Sequence, residues 1–175
     1  MRIIYTTETK CKIEDLLICI PTLEIDAFVI PITQNTNWES LYEKYELPVL
    51  NQKNFLEIDK EKVDIKKGAL ELLGNSSFQS ITTFLSNLAA KRDIECFKIC
   101  EYIFYNGFEL KIAVAKTLMV LTNTIAENPK MDKPIESVMK IRVGDIFVPW
   151  YDCSADNQIN WYLEQKKVLK KLLGV

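Results

Sequence analysis

The chain reads as a mixed α/β protein: a central sheet of early strands packed by helices, a helix-rich second half and a C-terminal amphipathic helix. Three observations predict this. Apolar residues make up 48% and charged residues 26% of the 175 positions, an ordinary globular balance. Short and nearly continuous apolar runs, such as residues 25–32, suit strands covered on both faces. Apolar residues three and four apart after residue 76 suit helices with one buried side. At this length the chain is expected to form one domain, residues 1–175, with a core that needs no disulfide or metal.

Taken in order, residues 2–6 read as a first strand. Residues 13–20 end at Pro21 and are short enough to be either strand or helix. Residues 25–32 are the clearest strand. A polar turn cluster, 33–37, precedes a helix over Trp38–Tyr45, with Thr36 or Asn37 placed to cap its free amides. Residues 46–66 are charged and irregular, with a short edge strand expected around Phe55, Leu56 and Ile58. A helix over 68–73 stops at Gly74-Asn75, a C-terminal signal. Ser76 or Ser77 then caps a stronger helix whose apolar positions are Phe78, Ile81, Leu85, Leu88 and Ala89.

Residues 96–112 fit a hairpin turning at Asn106-Gly107 and fit a helix equally well. Asn-Gly favours a two-residue turn with positive φ at both positions. Phe108, Leu110, Ile112 and Val114 alternate with Glu109 and Lys111. Residues 115–127 are expected to be helical, ending before Pro129. One helical turn is expected over 135–139. Residues 141–150 show a strand pattern broken at Gly144-Asp145. A last helix over 158–173 turns Ile159, Tyr162, Leu169, Leu172 and Leu173 inward and ends at Gly174.

Composition excludes several functions. Net charge is −2, without the basic excess that phosphate neutralisation demands of nucleic-acid binders. Lys166, Lys167, Lys170 and Lys171 form one local basic face, which reads as a solvated helix surface. The chain has no histidine, so a Ser-His-Asp or Cys-His nucleophile system is impossible within it. Carboxylate, lysine and tyrosine chemistry stay open.

Five cysteines (Cys11, Cys19, Cys96, Cys100 and Cys153), an odd number without a secretory leader before them, fit free thiols in a reducing cytoplasm. Cys96 and Cys100 lack the further ligands of a zinc site and read as small buried hydrophobes. No apolar run reaches the roughly 18 residues of a membrane span. No phosphate-binding glycine motif is present. No cofactor and no metal are expected. Asp145, Asp152 and Asp156 are available to a hard cation, but their spacing is not that of a calcium loop.

The densest group of chemistry-bearing residues is segment 140–152. It holds Asp145, Asp152, Trp150 and Tyr151 beside Gly144 and two cations, a mixture that suits a sugar ring and equally suits a packed turn. Asp26, within an apolar strand, is a candidate buried acid or a strand-edge residue bonded to its surroundings. The run 133–152, with Ile141-Arg142-Val143-Gly144-Asp145-Ile146 followed by Tyr151-Asp152, is similar to a Gly-Asp segment of bacterial surface-carbohydrate biosynthesis proteins. This chain inserts residues between the two pairs and lacks the arginine that follows in that pattern. The resemblance spans 20 of 175 residues and implies a sugar-bearing ligand.

Without a catalytic motif, the leading expectation is a cytoplasmic, non-catalytic protein-binding module, of an immunity or inhibitor type. Its acidic stretch 39–61 would steer toward a basic protein partner. The alternative is an α/β enzyme, or part of one, binding a nucleotide or nucleotide sugar. In open α/β sheets ligands sit beyond the carboxyl ends of strands. Thr33, Gln34 and Asn35 after the clearest strand, with Trp150 and Tyr151, are then the binding residues, and Asp145 and Asp152 the acid and base. Neither nucleic acid nor membrane is expected as a partner. A homo-oligomer anchored by Trp38, Trp150 or Trp161 is a third expectation.

Overall fold

A computed structural model gives the fold of residues 1–7, 11–29, 37–130 and 133–175, leaving aside the side chains of Cys11 and of residues 27–29. Thr33, Gln34, Asn35 and Thr36 lie outside the described residues. The architecture is mixed α/β, a sheet with helices around it. In chain order the elements are β1 (Arg2–Thr7), α1 (Cys11–Cys19), β2 (Glu24–Val29), α2 (Trp38–Tyr45), β3 (Val49–Ile58), β4 (Glu61–Val63), α3 (Ile65–Leu73) and α4 (Phe78–Leu88). There follow β5 (Ile94–Tyr105), β6 (Leu110–Leu121), β7 (Met139–Val143), β8 (Ile146–Pro149), α5 (Ala155–Trp161) and α6 (Leu163–Leu173). Two 3₁₀ turns, Glu136–Val138 and Trp150–Asp152, flank β7 and β8. The strand order is β2-β1-β3-β5-β6-β7-β8, and β4 pairs with β3.

The residues fold into two compact units. The first holds Met1–Asn54, Cys100–Ala115 and Tyr162–Val175; the second holds Phe55–Ile99 and Lys116–Trp161. Neither is one stretch of chain, so no linker marks them in the sequence.

In the first unit, β1 runs parallel to β2 on one side and to β3 on the other. Ile3, Ile4, Tyr5, Val49 and Leu50 are fully buried there, each large apolar side chain contributing about 1.5–3 kcal/mol. Residues 11–19 take the helical option. Leu16 and Cys19 are buried, and α1 packs against α6. Tyr162, just before α6, donates its hydroxyl to Asp15 at 2.9 Å. Asn37 caps α2 by accepting from the Ser40 amide.

In the second unit, Ser77 caps α4 by accepting from the Ser80 amide. Gly74 ends α3 with φ 77°, a left-handed residue that glycine adopts without a side-chain clash. A second glycine, Gly68, lets α3 approach α4 so closely that a Cβ there would strike the Phe84 ring. Lys98 and Glu136 form a buried pair at 3.5 Å, with side chains 3% and 5% exposed.

Several sequence expectations need correcting. Residues 115–127 are not helical: β6 continues to Leu121, with Ala115, Thr117, Met119 and Leu121 buried and Val114 and Lys116 exposed. Residues 96–112 form the hairpin of the two options. Its loop is not the two-residue turn, since only Gly107 has positive φ. Instead the Asn106 side chain accepts from the amides of Phe108 and Glu109, both at 3.0 Å. The sheet is therefore not confined to early strands. Helices close the second half of the chain, but β5 to β8 occupy most of residues 94–149. Phe55, Leu56 and Ile58 belong to a ten-residue strand bordered on both sides, not to a short edge strand. The last helix is divided at Tyr162, and Ile159 is exposed rather than inward.

Candidate functional site

The strand order reverses at β1, which lies between β2 and β3. In parallel α/β sheets with this 2-1-3 order, the carboxyl ends at the reversal leave a crevice that binds ligands. The residues that occupy this place are polar and buried: Thr6, Thr7, Asn51 and Gln52 are each at most 2% exposed. Thr6 pairs in register with Asn51, and Thr7 with Gln52. Because side chains alternate along a strand, the two pairs face opposite sides of the sheet.

On one side, the Asn51 amide nitrogen donates to the carbonyl of Thr6 at 3.0 Å and to its hydroxyl at 2.8 Å. On the other, the Tyr5 hydroxyl donates to Gln52 at 2.5 Å, and Gln52 donates to Asn54 at 2.9 Å. Two atoms are left over. The Thr7 hydroxyl and the Asn51 amide oxygen are buried without a hydrogen-bond partner among the described residues. A buried polar atom without a partner costs about 1–3 kcal/mol, and such atoms in native proteins call for an explanation such as an absent ligand. They are a donor at the end of β1 and an acceptor on β3, on opposite faces of the sheet, and α1 begins four residues beyond Thr7. Free amides and the dipole at a helix start favour an anion.

Thr33, Gln34 and Asn35, the binding residues expected after β2, lie outside the described residues. Two signals pointed to β1: polar Thr6-Thr7 ends an apolar run, and Asn51-Gln52 interrupts another.

A separate cleft, about 820 Å³, opens in the second unit. Thr122, Glu127, Glu136, Lys140, Tyr151 and Asp152 supply its polar lining, and Met139 and Trp150 its apolar lining. Trp150 packs edge-on against Trp161, centroids 5.3 Å apart, and is only 6% exposed. The Tyr151 hydroxyl accepts from the Lys130 amide at 2.9 Å. Lys140 is bonded to Asp93 at 2.6 Å. That hydrogen bond holds the Asp93 carboxyl below its ordinary range, against the opposing effect of desolvation.

The structure thus brings Trp150, Tyr151 and Asp152 to one cleft. Asp145 is elsewhere, fully exposed in the β7–β8 turn and 3.8 Å from Arg142. Asp26 is not an isolated acid; it accepts from Arg2 at 2.9 Å. Trp150 and Trp161 are both buried, which removes them as exposed interface anchors. Among the described residues, no three Cys, Asp or Glu side chains gather into a metal site, and no helix is long and apolar enough to cross a membrane.

The fold and the strand ends define the class: an α/β protein with buried polar residues at its strand-order reversal. The comparisons are more particular. No protein family and no curated protein matches the sequence, but solved structures match the fold along nearly the whole chain. The Ham1 protein of Staphylococcus aureus superposes with TM-score 0.62 at 14% identity, covering 99% of this chain and 97% of that one. A nucleoside-triphosphatase, or dITP/XTP pyrophosphatase, of Mycobacterium abscessus does so with TM-score 0.61 at 10% identity, covering all of both chains. A Ham1 protein of Coxiella burnetii gives 0.61 at 12% identity, covering 99% and 98%. This likeness corrects the expectation of a non-catalytic, immunity-type binding module. That reading rested on composition, which many folds share, whereas the fold found here is shared end to end with an enzyme of nucleotides.

Proposed function

We propose that this chain is a nucleotide-hydrolysing enzyme that splits a nucleoside triphosphate into a monophosphate and pyrophosphate. The observation that carries the reading is the full-length likeness to the Mycobacterium abscessus enzyme. The orphaned polar atoms of Thr7 and Asn51 support it from within the chain.

In the reaction, water adds to the α-phosphorus, the bond from that phosphorus to the bridging oxygen breaks, and pyrophosphate leaves. The water's proton passes to a carboxylate or to solvent, since the chain holds no histidine. Thr7 donates to a substrate oxygen, and the start of α1 faces negative charge. A divalent ion accompanying the triphosphate would neutralise phosphate charge while keeping several of its waters. A cytoplasmic setting, where nucleotides are made and thiols stay reduced, fits the four described free cysteines.

The test is pyrophosphate release from a panel of canonical and deaminated purine and pyrimidine triphosphates with Mg²⁺. Release from at least one, lost in Thr7→Val, is expected. No release and no binding across the panel would overturn the proposal.

A further inference from the structure

One face of the strand-order reversal carries a hydrogen-bond relay with a definite direction. Tyr5, Thr7, Gln52 and Asn54 share that face: Tyr5 is in register with Leu50 and Thr7 with Gln52, and side chains two residues apart on a strand point the same way. The relay starts in the core, where Tyr5 is fully buried. Its hydroxyl lies 2.5 Å from Gln52 Oε1 and 3.4 Å from the Lys12 carbonyl. Only the first distance falls within the ordinary range of an O–H···O bond, so the single hydroxyl proton goes to Gln52. That fixes the Gln52 amide, with its oxygen toward Tyr5 and its nitrogen toward Asn54. Gln52 then donates to the Asn54 amide oxygen at 2.9 Å. The Asn54 oxygen is turned inward, and its NH₂ group is left at the far end of the relay. The reverse orientation would need Tyr5 to donate to the distant Lys12 carbonyl.

The register of β1 with β3 ends at Thr7 and Gln52. Asn54 therefore stands past the carboxyl end of β1, the place where sheets of this strand order hold ligands. It is half-buried, whereas Gln52 is 2% exposed, so the relay runs from the core to an accessible end. What it presents there is a pair of N–H donors, and the partnerless Thr7 hydroxyl lies on the same face. Donors without a competing acceptor suit an oxyanion. We propose that Asn54 donates to a phosphate oxygen of the substrate, and that Tyr5 and Gln52 are positioning residues that hold its amide nitrogen outward. The identity of the anion rests on the nucleotide reading above. Because the amide is neutral, it supplies direction to the phosphate rather than a counter-charge.

Titration calorimetry of the full chain with sodium tripolyphosphate tests this, since the probe carries the anion without a nucleoside and its binding is read without turnover. The wild type is expected to bind. Asn54→Asp keeps the size of the side chain and still accepts from Gln52, but turns a carboxylate oxygen toward the anion; it is expected to raise Kd about tenfold or more. Tyr5→Phe keeps the shape of the core but frees both amides to flip, and is expected to raise Kd about threefold. In Tyr5→Phe/Asn54→Asp the affinity is expected to match that of Asn54→Asp within about twofold, because Tyr5 acts through Asn54. Far-UV circular dichroism checks that each variant folds, and Asn54→Asp, at a half-buried position, carries the test alone should Tyr5→Phe not fold. A wild type that does not bind, an Asn54→Asp protein that binds as wild type does, or losses that simply add in the double variant would each overturn the proposal. Tripolyphosphate binding lost in Asn54→Asp stands even where no triphosphate is hydrolysed. Hydrolysis of a triphosphate, with a tripolyphosphate affinity indifferent to Asn54→Asp, overturns this inference and leaves the enzyme reading intact.

Discussion

At Thr7 the proposed function would oppose stability. Its hydroxyl is buried and unpaired, so replacing it by the isosteric valine removes a desolvation cost. Thr7→Val is expected to unfold at equal or higher urea concentration than wild type while losing pyrophosphate release. Chemical denaturation beside an activity assay checks both halves. Thiol reactivity follows burial in the same way. Desolvation pushes the Cys96 thiol up to about 12, and Cys100 is also buried. Cys153 is half-buried, its thiol raised by partial burial and by Asp152. At pH 8 a disulfide-exchange reagent is expected to modify Cys153 before Cys19, Cys96 or Cys100, which await unfolding; peptide mapping of the labelled protein tests the order. Asp93 is a carboxylate whose titration is coupled to folding with a definite sign. Its folded carboxyl is held below the ordinary 3.8 by Lys140, so its contribution is complete above pH 3.8 and fades as pH falls below it. Asp93→Asn should flatten the acid limb of a stability–pH curve, modestly, because the side chain is 44% exposed and water screens the pair.

Elements were legible where local chemistry decides them. The caps, expected at Thr36 or Asn37 and at Ser76 or Ser77 and found at Asn37 and Ser77, and the stop at Gly74 were readable from local side chains or their absence. So was the break at Gly144-Asp145 between β7 and β8. The helix expected over 115–127 failed because Ala, Lys, Leu and Met favour helices in isolation. Pairing and burial outweigh such propensities in a sheet. The two-residue alternation of Ala115, Thr117, Met119 and Leu121 was present but short. Close packing, by contrast, leaves no local mark. Nothing near Gly68 in the sequence announces Phe84, sixteen residues on. Gly68→Ala is expected to destabilise the protein by about 1–3 kcal/mol, as overpacking does, despite alanine's better helix propensity. A shortened partner, Phe84→Leu, should recover part of the loss. Equilibrium denaturation of the two single variants and the double variant measures that coupling.

For the molecule as a whole, fold class could be read and assembly could not. Thr6 and Asn51 are 45 positions apart, and only the parallel pairing of β1 with β3 makes them neighbours. The site was therefore hidden by topology, even though its polar residues stood out within apolar strands. Each of the two units is assembled from separated segments, so no linker in the sequence marks them. A ligand selecting the native state must stabilise it. A non-hydrolysable triphosphate at about 100 times its dissociation constant should add ~2.7 kcal/mol, raising Tm by about 5–10 °C for a chain of this size. Differential scanning calorimetry reads this directly, and an unchanged Tm at saturating concentrations would count against nucleotide recognition. The crossed indoles of Trp150 and Trp161 carry one more consequence. Trp150 lines the cleft, and the Lys98 ammonium lies 4.9 Å from the Trp161 ring centre. Two coupled chromophores in a fixed chiral geometry beside a charge form a built-in optical gauge. Any compound lodging in that cleft should alter the near-ultraviolet dichroism and emission maximum of the unlabelled protein.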